Sequence, residues 1–316
     1  MPGCRRQRLP AQAGRRGQAG VDDARVAARL SDRPIVYSPE LENIEVELFV
    51  QALQRRHGYD FSQYAPASLK RRVQQLAEQL ECKTVSGLIE RVMHEPLLLP
   101  SVLEGLTVPA SDMFRDPPMF RALLEKVFPL LACYPQINIW LAGCAHGQEV
   151  YSLAILLEEA ELYERSKIFA TDLSEYALQQ AREGIYSTRE AQQWSRNYHA
   201  SGGSRSLADY YSARYKLLKI DQRLQRHVTF AAHNLAADGV FCEAHLILCR
   251  NVLIYFSNPL QDRALSLFRD SLVRGGFLCL GLRESLDYAS SAEDFSPFDE
   301  PMRIYRLSGQ PDHLKP

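Results

Sequence analysis

The chain has 316 residues, of which 46% are hydrophobic and 24% are charged, and this composition is typical of a folded protein with about two domains. It excludes a wholly disordered chain, a collagen and a small disulfide-linked scaffold. Lysine and arginine number 37 against 38 acidic residues, so the formal net charge is −1 and we expect no nucleic-acid partner. Because no apolar run approaches roughly 18 residues, we also expect no direct insertion into a membrane.

Cysteine and histidine usage argues against disulfides and metal sites. The seven cysteines are scattered and contain no Cys-x-x-Cys pair, which argues against a disulfide framework or a zinc knuckle. The eight histidines contain no His-x-x-x-His pair, so we expect no metal ion. Cysteines within apolar runs, such as Cys249 and Cys279, behave as small hydrophobic residues when reduced and indicate a cytoplasmic protein.

Residues 1–37 have the composition of a disordered tail. The first 33 residues contain eight basic and three acidic side chains and few large apolar ones. Such a segment cannot bury enough apolar surface to offset the entropy cost of ordering it. It also lacks the apolar stretch of a signal peptide. We therefore expect a basic, disordered extension to which no role can be assigned.

Residues 38–105 show helical periodicity and predict a small helical domain. The apolar stripes consist of Ile44, Leu48, Ala52 and Leu53 in a first segment and of Leu69, Val73, Leu76 and Leu80 in a second. The first helix is expected to end at His57 and Gly58, and the second to begin near Ser68. A third, short helix is predicted over residues 85–94.

From residue 106 onward, strand and helix patterns alternate, which predicts an α/β domain built on a mainly parallel sheet covered on both faces. The expected strands are 137–142, 168–171, 228–231, 246–249, 277–280 and 302–305. Helices are expected to begin after Asp116, Gly147, Ser174 and Asn258. The Asp116 carboxylate is expected to cap the first of these helices. The polar and aromatic stretch 187–226 is too long for a plain connection and predicts an inserted subdomain.

Two neighbouring strands end in residues suited to a nucleotide-like ligand, since ligands of such sheets bind at the carboxyl ends of the strands. Strand 137–142 runs into the small-residue loop 143–147, whose amide groups are expected to donate to a ligand. Asp172 ends the next strand, where a carboxylate is placed to hold ribose hydroxyls. A tight turn and a simple helix cap are the alternative interpretations of these two features. The loop is not Gly-x-Gly-x-x-Gly, which disfavours a dinucleotide.

Two further segments place polar residues near the same crevice. Arg250 and Asn251 follow strand 246–249 directly, and Tyr255 and Phe256 come next, as either site or core residues. Arg115 lies at the joint between the helical and α/β regions. It is either a surface residue that forms salt bridges or a site residue that reaches across the crevice.

The order of these segments resembles a known family. The blocks are Phe-Arg-Asp-Pro-Pro, Trp-Leu-Ala-Gly-Cys-Ala-His-Gly-Gln-Glu-Val-Tyr-Ser, Ala-Thr-Asp-Leu, His-Asn-Leu, Cys-Arg-Asn-Val-Leu-Ile-Tyr-Phe and Gly-Leu-Arg-Glu-Ser-Leu. Over residues 40–307 they closely resemble the CheR family of chemotaxis-receptor glutamate O-methyltransferases, which use S-adenosylmethionine. The resemblance implies a class I methyltransferase (Rossmann-like) fold at 106–316, carrying the insertion at 187–226, after a receptor-recognising helical domain at 38–105.

The resemblance also assigns cofactor contacts. The implied residues are Ser111, Arg115, Glu149, Asp172, Asn234, Leu235, Arg250 and Asn251. In this assignment Asp172 holds the ribose, Glu149 faces the methionine ammonium end, and Asn234 and Leu235 lie beside the adenine. The product is S-adenosylhomocysteine, and no metal takes part.

Arg115 and Tyr255 are the implied catalytic residues, lining the methyl-transfer site. The nucleophile is a glutamate carboxylate with a reference pKa of about 4.3, so it is ionised at neutral pH and needs no general base. Pro109, His146 and Gln148 depart from the family pattern, and such departures would weaken cofactor binding.

The implied partner is the cytoplasmic region of methyl-accepting chemotaxis receptors, bound by a monomer. Between residues 51 and 75 there are five basic side chains and one acidic one, which suits acidic receptor helices. The basic residues expected to bind the substrate are Arg55, Arg56, Lys70, Arg71 and Arg72. An ordinary solvated helix face is the alternative. Two other functions stay open: a non-catalytic regulator with the same fold, and an NAD-dependent dehydrogenase.

Overall fold

The computed structural model describes residues 38–107, 111–287 and 289–308. The predicted tail at 1–37 and Pro109 lie outside these residues. The chain divides into two units, and the first unit ends at Glu42. The described part of this unit consists of Ser38 and the first turn of a helix. There the Ser38 hydroxyl accepts the Leu41 N–H at 3.1 Å. Within the described ranges, no helix is long and apolar enough to cross a membrane.

Four helices make up the first part of the described chain. They are α1 (Pro39–His57), α2 (Pro66–Gln79), α3 (Val85–His94) and α4 (Leu99–Thr107). The predicted end of α1 at His57 and both ends of α3 are confirmed. Helix α2 begins two residues before Ser68, at Pro66, because proline fits the first turn of a helix, where its missing N–H has no intrahelical partner.

The predicted apolar stripe of α1 is partly wrong. Ile44 and Leu48 are 53% and 49% exposed, whereas Val46, Phe49 and Val50 are buried with the predicted Leu53. Both sets recur at helical spacing, so periodicity alone could not choose between them. Tertiary packing selects the face that carries the phenylalanine, which has the larger apolar surface to bury.

A seven-stranded sheet forms the centre of the remaining chain, in the order β6-β2-β1-β7-β8-β10-β9. Its strands are β1 (Ile137–Ala142), β2 (Ser166–Asp172), β6 (Val228–Ala232), β7 (Ala244–Cys249), β8 (Leu272–Leu280), β9 (Phe295–Asp299) and β10 (Ile304–Leu307). The pairs from β6 to β8 are parallel, and β10 pairs antiparallel with both β8 and β9. The six predicted strands are present. Strand β9 was not predicted because Pro297 interrupts its pattern, and proline is tolerated on such an edge strand.

Helices cover both faces of this sheet, as predicted. They are α5 (Pro117–Ala122), which continues through a π-helical turn (Leu123–Val127) into α6 (Phe128–Leu131), then α7 (Gln148–Glu159), α8 (Glu175–Glu183), α9 (Ala191–Ala200) and α10 (Asn258–Ser271). Along β1, Ile139 and Leu141 enter one apolar core while Trp140 and Ala142 enter another. This alternation is the period of two expected for a strand buried on both faces.

A second, smaller sheet lies between α8 and β6 in the sequence. Its strands are β3 (Ile185–Ser187), β4 (Tyr211–Arg214) and β5 (Leu217–Ile220), paired antiparallel in the order β3-β5-β4. Helix α9 precedes β4, and the hydroxyls of Tyr198 and Tyr210 both donate to the Glu159 carboxylate at the end of α7. The residues 187–226 thus carry their own secondary structure and are anchored to the larger sheet's helices.

Candidate functional site

A pocket opens at the carboxyl ends of β1, β2 and β7, where ligands of parallel sheets bind. The predicted residues that line it are Ser111, Arg115, Glu149, Asp172, Asn234, Leu235, Arg250, Asn251 and Tyr255. They come from five separate segments of the chain. His146 and Gln148, the departures from the family pattern, are not among the described residues that line this pocket.

The loop after β1 is tied to the protein itself. Four of its N–H groups already have protein acceptors: those of Gly143, Cys144, Ala145 and Gly147. The Thr171 carbonyl takes the first two at 2.8 and 2.9 Å. The end of β2 accepts three of these N–H groups and the Cys144 carbonyl accepts that of Gly147, so these four amides are not the ligand donors that were expected. A Cβ on Gly143 (φ +80°) would lie 2.4 Å from Val252, so the small residue lets the loops after β1 and β7 pack together.

Asp172 ends β2 and connects this loop to the next helix. One carboxylate oxygen accepts the Ala145 N–H at 2.8 Å, and the other accepts the Ser174 N–H at 2.9 Å. Ser174 in turn caps α8, because its hydroxyl accepts the Ala177 N–H at 3.2 Å. Burial raises the pKa of Asp172, and these backbone hydrogen bonds oppose that rise.

Arg250 is the buried cation of the site, with a side chain that is 1% exposed. Its guanidinium donates to Glu149 at 3.0 Å and to Asp116 at 2.6 Å. Burial raises the pKa of Glu149, and the positive charge of Arg250 opposes this rise. The predicted cap is wrong, since Asp116 makes no side-chain capping bond to α5; its carboxylate pairs with Arg250 instead.

Arg115 sits between two residues with left-handed backbone. Phe114 has φ +53° and Asp116 has φ +58°, conformations that are costly for residues other than glycine. The Ser152 hydroxyl accepts the Phe114 N–H at 2.9 Å, and the Arg115 carbonyl accepts an N–H of Arg250 at 3.3 Å. The segment is thus held so that the Arg115 side chain lines the pocket.

The turn after β7 carries Asn251 and Tyr255 and is held by Glu284. Asn251 has φ +59°, and its N–H donates to the Glu284 carboxylate at 2.9 Å. The N–H groups of Val252 and Ile254 donate to the same carboxylate at 2.8 and 3.3 Å. Sequence reasoning missed this residue, although Glu284 lies within the block Gly-Leu-Arg-Glu-Ser-Leu.

The helical part of the chain closes another side of the pocket. Tyr64 and Thr107 line it, and burial raises the pKa of Tyr64, with a further rise from the nearby Asp172 carboxylate. The Ala65 N–H donates to the Tyr255 carbonyl, and the Ser257 N–H to the Gln63 carbonyl, both at 2.9 Å. Nothing in the sequence pattern singled out Tyr64, because this contact joins segments almost 200 residues apart.

The five basic residues predicted to bind substrate do not share one environment. Arg55, Arg56 and Arg71 are exposed, and Lys70 is half-buried with its ammonium group donating to Asn43 at 2.9 Å. Arg72 is 3% exposed, donates to the Leu106 carbonyl, and lies with its guanidinium carbon 3.9 Å from the centre of the Tyr255 ring. Arg72 therefore does not belong to an exposed basic face; it packs behind a residue of the pocket.

The segment after β6 contributes three neighbours to the pocket: His233, Asn234 and Leu235. The Asn234 side-chain oxygen accepts the Ala236 N–H at 2.9 Å, which leaves its amide nitrogen as a donor. His233 is buried against Trp140, and no hydrogen-bond partner of its Nδ1 is found in the described part of the chain. Its position next to the predicted pair was the signal that could have identified it.

Comparisons with known proteins identify the family of this chain. Residues 110–302 match the family model for the CheR methyltransferase SAM binding domain, and residues 44–107 match that for the CheR methyltransferase all-alpha domain. Cher3 of Pseudomonas putida is 47% identical over 266 residues, which cover 84% of this chain and 97% of that relative. The chemotaxis protein methyltransferase of Listeria innocua is 29% identical, over 78% of this chain and 92% of that protein.

Solved structures that match part of this chain include the N-methyltransferase NodS of Bradyrhizobium japonicum in complex with S-adenosylhomocysteine. It is 15% identical, with a TM-score of 0.35, over 64% of this chain and 95% of that one. In the described part of this chain, no group of three or more His, Cys, Asp or Glu residues could hold a metal ion. The family match covers most of the chain, and the chain therefore belongs to the CheR methyltransferases, enzymes with an S-adenosylmethionine-binding domain.

Proposed function

We propose that this chain transfers a methyl group from S-adenosylmethionine to glutamate carboxylates in the cytoplasmic region of methyl-accepting chemotaxis receptors. The products are glutamyl methyl esters and S-adenosylhomocysteine. The observation that carries the proposal is that the residues assigned to the cofactor line one pocket with Arg115 and Tyr255, which are assigned to methyl transfer. The names of chemotaxis methyltransferases among the relatives support this class of partner.

The polar groups of the pocket fit this cofactor. Asp172 and Glu149 both line it, and burial raises the pKa of each, so further contacts with hydrogen-bond donors would stabilise their charged forms. Ribose hydroxyls at Asp172 and an ammonium group at Glu149 would supply such contacts. Beside Asn234 and Leu235, the Nδ1 of His233, for which the described residues supply no hydrogen-bond partner, offers a hydrogen-bonding group for the edge of an adenine.

The chain's chemical task is alignment. S-adenosylmethionine supplies a methyl group bonded to a positively charged sulfur, and the acceptor carboxylate is ionised at neutral pH, so no general base is required. Arg115 orients the incoming carboxylate by its charge, and the Tyr255 hydroxyl donates a hydrogen bond to it. Such positioning contributes up to roughly 7–11 kcal/mol in favourable cases. Contacts from Ala65 and Arg72 hold Tyr255 in place for this role.

The proposed partner surface lies on the helical domain at 38–105. Arg55, Arg56 and Arg71 are exposed there and would attract acidic receptor helices. We propose that the protein acts as a monomer in the cytoplasm, and six free cysteines among the described residues suit a reducing compartment. The insertion at 187–226, with its own small sheet, is proposed as a separate subdomain of the methyltransferase domain at 106–316.

A methylation assay tests the proposal. Wild-type protein, Arg115→Ala and Tyr255→Phe are incubated with tritiated S-adenosylmethionine and membranes that carry each receptor of the source organism. We expect transfer by the wild type, a loss of about 100-fold for Arg115→Ala and a loss of about tenfold for Tyr255→Phe. Arg226→Ala and Tyr176→Phe, two substitutions at exposed positions, are matched controls that should keep the wild-type rate.

Two outcomes would contradict the proposal in different ways. Folded Arg115→Ala and Tyr255→Phe proteins with wild-type rates would show that the catalytic assignment is wrong. A wild-type protein that binds S-adenosylhomocysteine in a calorimeter but methylates no receptor would instead be a non-catalytic regulator.

A further inference from the structure

Glu284 is a buried acid with an unusual set of partners. It follows β8, is 4% exposed, and accepts hydrogen bonds from four main-chain N–H groups. The donors and their distances are Gly281 at 2.6 Å, Asn251 at 2.9 Å, Val252 at 2.8 Å and Ile254 at 3.3 Å. A carboxylate offers about four lone-pair positions, so these donors match its full capacity.

The four donors belong to two different strand ends. Gly281 follows β8, whereas Asn251, Val252 and Ile254 form the turn after β7. One carboxylate thus joins two neighbouring strand ends at the edge where the pocket opens. The fit is tight, because a Cβ on Gly281 would lie 2.6 Å from a Glu284 oxygen and 2.8 Å from the Asn251 nitrogen.

The turn after β7 depends on this carboxylate for its shape. Tyr255 and Phe256 donate their N–H groups within the turn, to the carbonyls of Val252 and Leu253 at 3.1 and 2.9 Å. Of the three N–H groups bound by Glu284, those of Asn251 and Val252 come before the short helical turn and that of Ile254 lies within it. All three depend on an acceptor from outside the turn. Buried N–H groups without an acceptor are costly, so the turn would rearrange if Glu284 were lost.

We propose that Glu284 is a positioning residue that sets the Asn251–Tyr255 turn for cofactor binding and methyl transfer. It does not line the pocket, and it acts through Asn251, which is assigned to the cofactor, and Tyr255, which is assigned to transfer. The part that concerns Tyr255 rests on the proposed function. The part that concerns Asn251 rests only on the binding of S-adenosylmethionine or its product.

Two substitutions test the role. Glu284→Gln keeps the size of the side chain but replaces one acceptor oxygen by an NH₂ group, which would face N–H donors. Glu284→Asp keeps both oxygens and retracts them by one methylene. We expect the affinity for S-adenosylhomocysteine, measured by calorimetry, to fall by about tenfold for Glu284→Gln, with a smaller loss for Glu284→Asp. In assays at saturating S-adenosylmethionine with varied receptor, we also expect the fold decrease in kcat to exceed the fold increase in KM for the receptor.

Asp299→Asn is the matched control. Asp299 is another buried carboxylate, which accepts from Lys126 at 2.7 Å and from the Met302 N–H at 3.3 Å, and it lies on β9 rather than at the pocket. We expect this variant to lower the melting temperature while leaving the affinity for S-adenosylhomocysteine within twofold of wild type.

The outcomes separate this inference from the proposed function. Wild-type affinity and kcat in folded Glu284→Gln protein would overturn it, as would equal affinity losses in Glu284→Gln and Asp299→Asn. If Glu284→Gln does not fold, Glu284→Asp decides by the same comparison, and failure of both to fold would show a purely structural residue. A chain that methylates no receptor, yet loses cofactor affinity in Glu284→Gln, would contradict the proposed function and support the positioning role.

Discussion

The charged side chains at the sheet edge are largely buried, whereas many of those in the helical region are exposed. At the strand ends, Arg250, Glu149 and Asp172 are buried or half-buried and bonded to specific partners. On the helices, Arg55 and Arg71 are exposed. Buried, bonded charges have a fixed geometry, which suits a small cofactor of defined shape. Exposed charges act at longer range and are screened by salt, which suits the approach of a large acidic partner.

Arg72 departs from this contrast and connects the two regions. It follows Arg71 on α2, yet it is buried, bonded to the Leu106 carbonyl and packed on the Tyr255 ring. Two adjacent arginines of one helix thus lie in different environments: Arg71 is exposed and Arg72 is buried. The following predictions test the contrast and this connection, beginning with the largest expected effect.

Replacing Arg250 by methionine should cause the largest loss. The substitution keeps much of the apolar volume but leaves Glu149 and Asp116 without their cation. Breaking a buried ion pair from one side costs about 3–5 kcal/mol of unfolding free energy, measured by urea denaturation. Arg226→Met, which breaks an exposed pair with Glu164, should change stability by less than about 1 kcal/mol. Equal losses in both variants would remove the distinction between the two kinds of charge.

Cofactor affinity should fall as the pH is lowered. Burial raises the pKa of Asp172 and Glu149, so both carboxyl groups take up protons at a higher pH than ordinary carboxyl groups do. The protonated forms are neutral and lose the charge that attracts donors. Calorimetry with S-adenosylhomocysteine between pH 8 and pH 5 should show this decline. Asp172→Asn should lower the affinity for S-adenosylhomocysteine by about tenfold at pH 8 and make it less dependent on pH. A wild-type affinity that does not change with pH would contradict the predicted role of these carboxylates.

Replacing Arg72 by methionine should slow methyl transfer more than it weakens receptor binding. The variant loses the guanidinium that packs on Tyr255, and we expect kcat to fall by about tenfold, which corresponds to a loss of roughly 1.4 kcal/mol. Steady-state kinetics on receptor membranes measure both constants. Arg71→Met, at the exposed neighbour, is the control and should leave kcat unchanged. A rise in KM for the receptor without a fall in kcat would mean that Arg72 acts in receptor binding, like the exposed arginines.

The smallest effect is expected for the exposed arginines. Combined Arg55→Glu, Arg56→Glu and Arg71→Glu substitutions should raise KM for the receptor by about three- to tenfold at low salt. The difference from wild type should shrink at 0.5 M salt, where the screening length is a few ångströms. Affinity for S-adenosylhomocysteine should not change. A KM that is insensitive to both charge and salt would mean that the receptor does not meet this surface.

Local patterns predicted the sheet well and the helix faces less well. The predicted strand 137–142 has the same ends as β1, because a short, mainly apolar run followed by a loop of small residues is typical of a strand that is covered on both faces. For α1, two apolar stripes share Leu53, and the structure buries the one that contains Phe49 while Ile44 and Leu48 are exposed. Asp116 shows the same limit, since a helix cap is a local prediction, while its actual partner, Arg250, lies 134 residues away.

The sequence by itself predicted that the residues at the ends of the parallel strands lie in one pocket, because parallel strands bring their carboxyl ends to one edge, but it did not predict Tyr64 or His233. It also determined the family, through blocks that follow one another in order. Only the tertiary structure decided how these residues are held: the loop amides bond to β2, Arg72 packs on Tyr255, and Glu284 gathers four N–H groups. Such bonds join residues distant in the chain, and they depend on a packing geometry that no local pattern records.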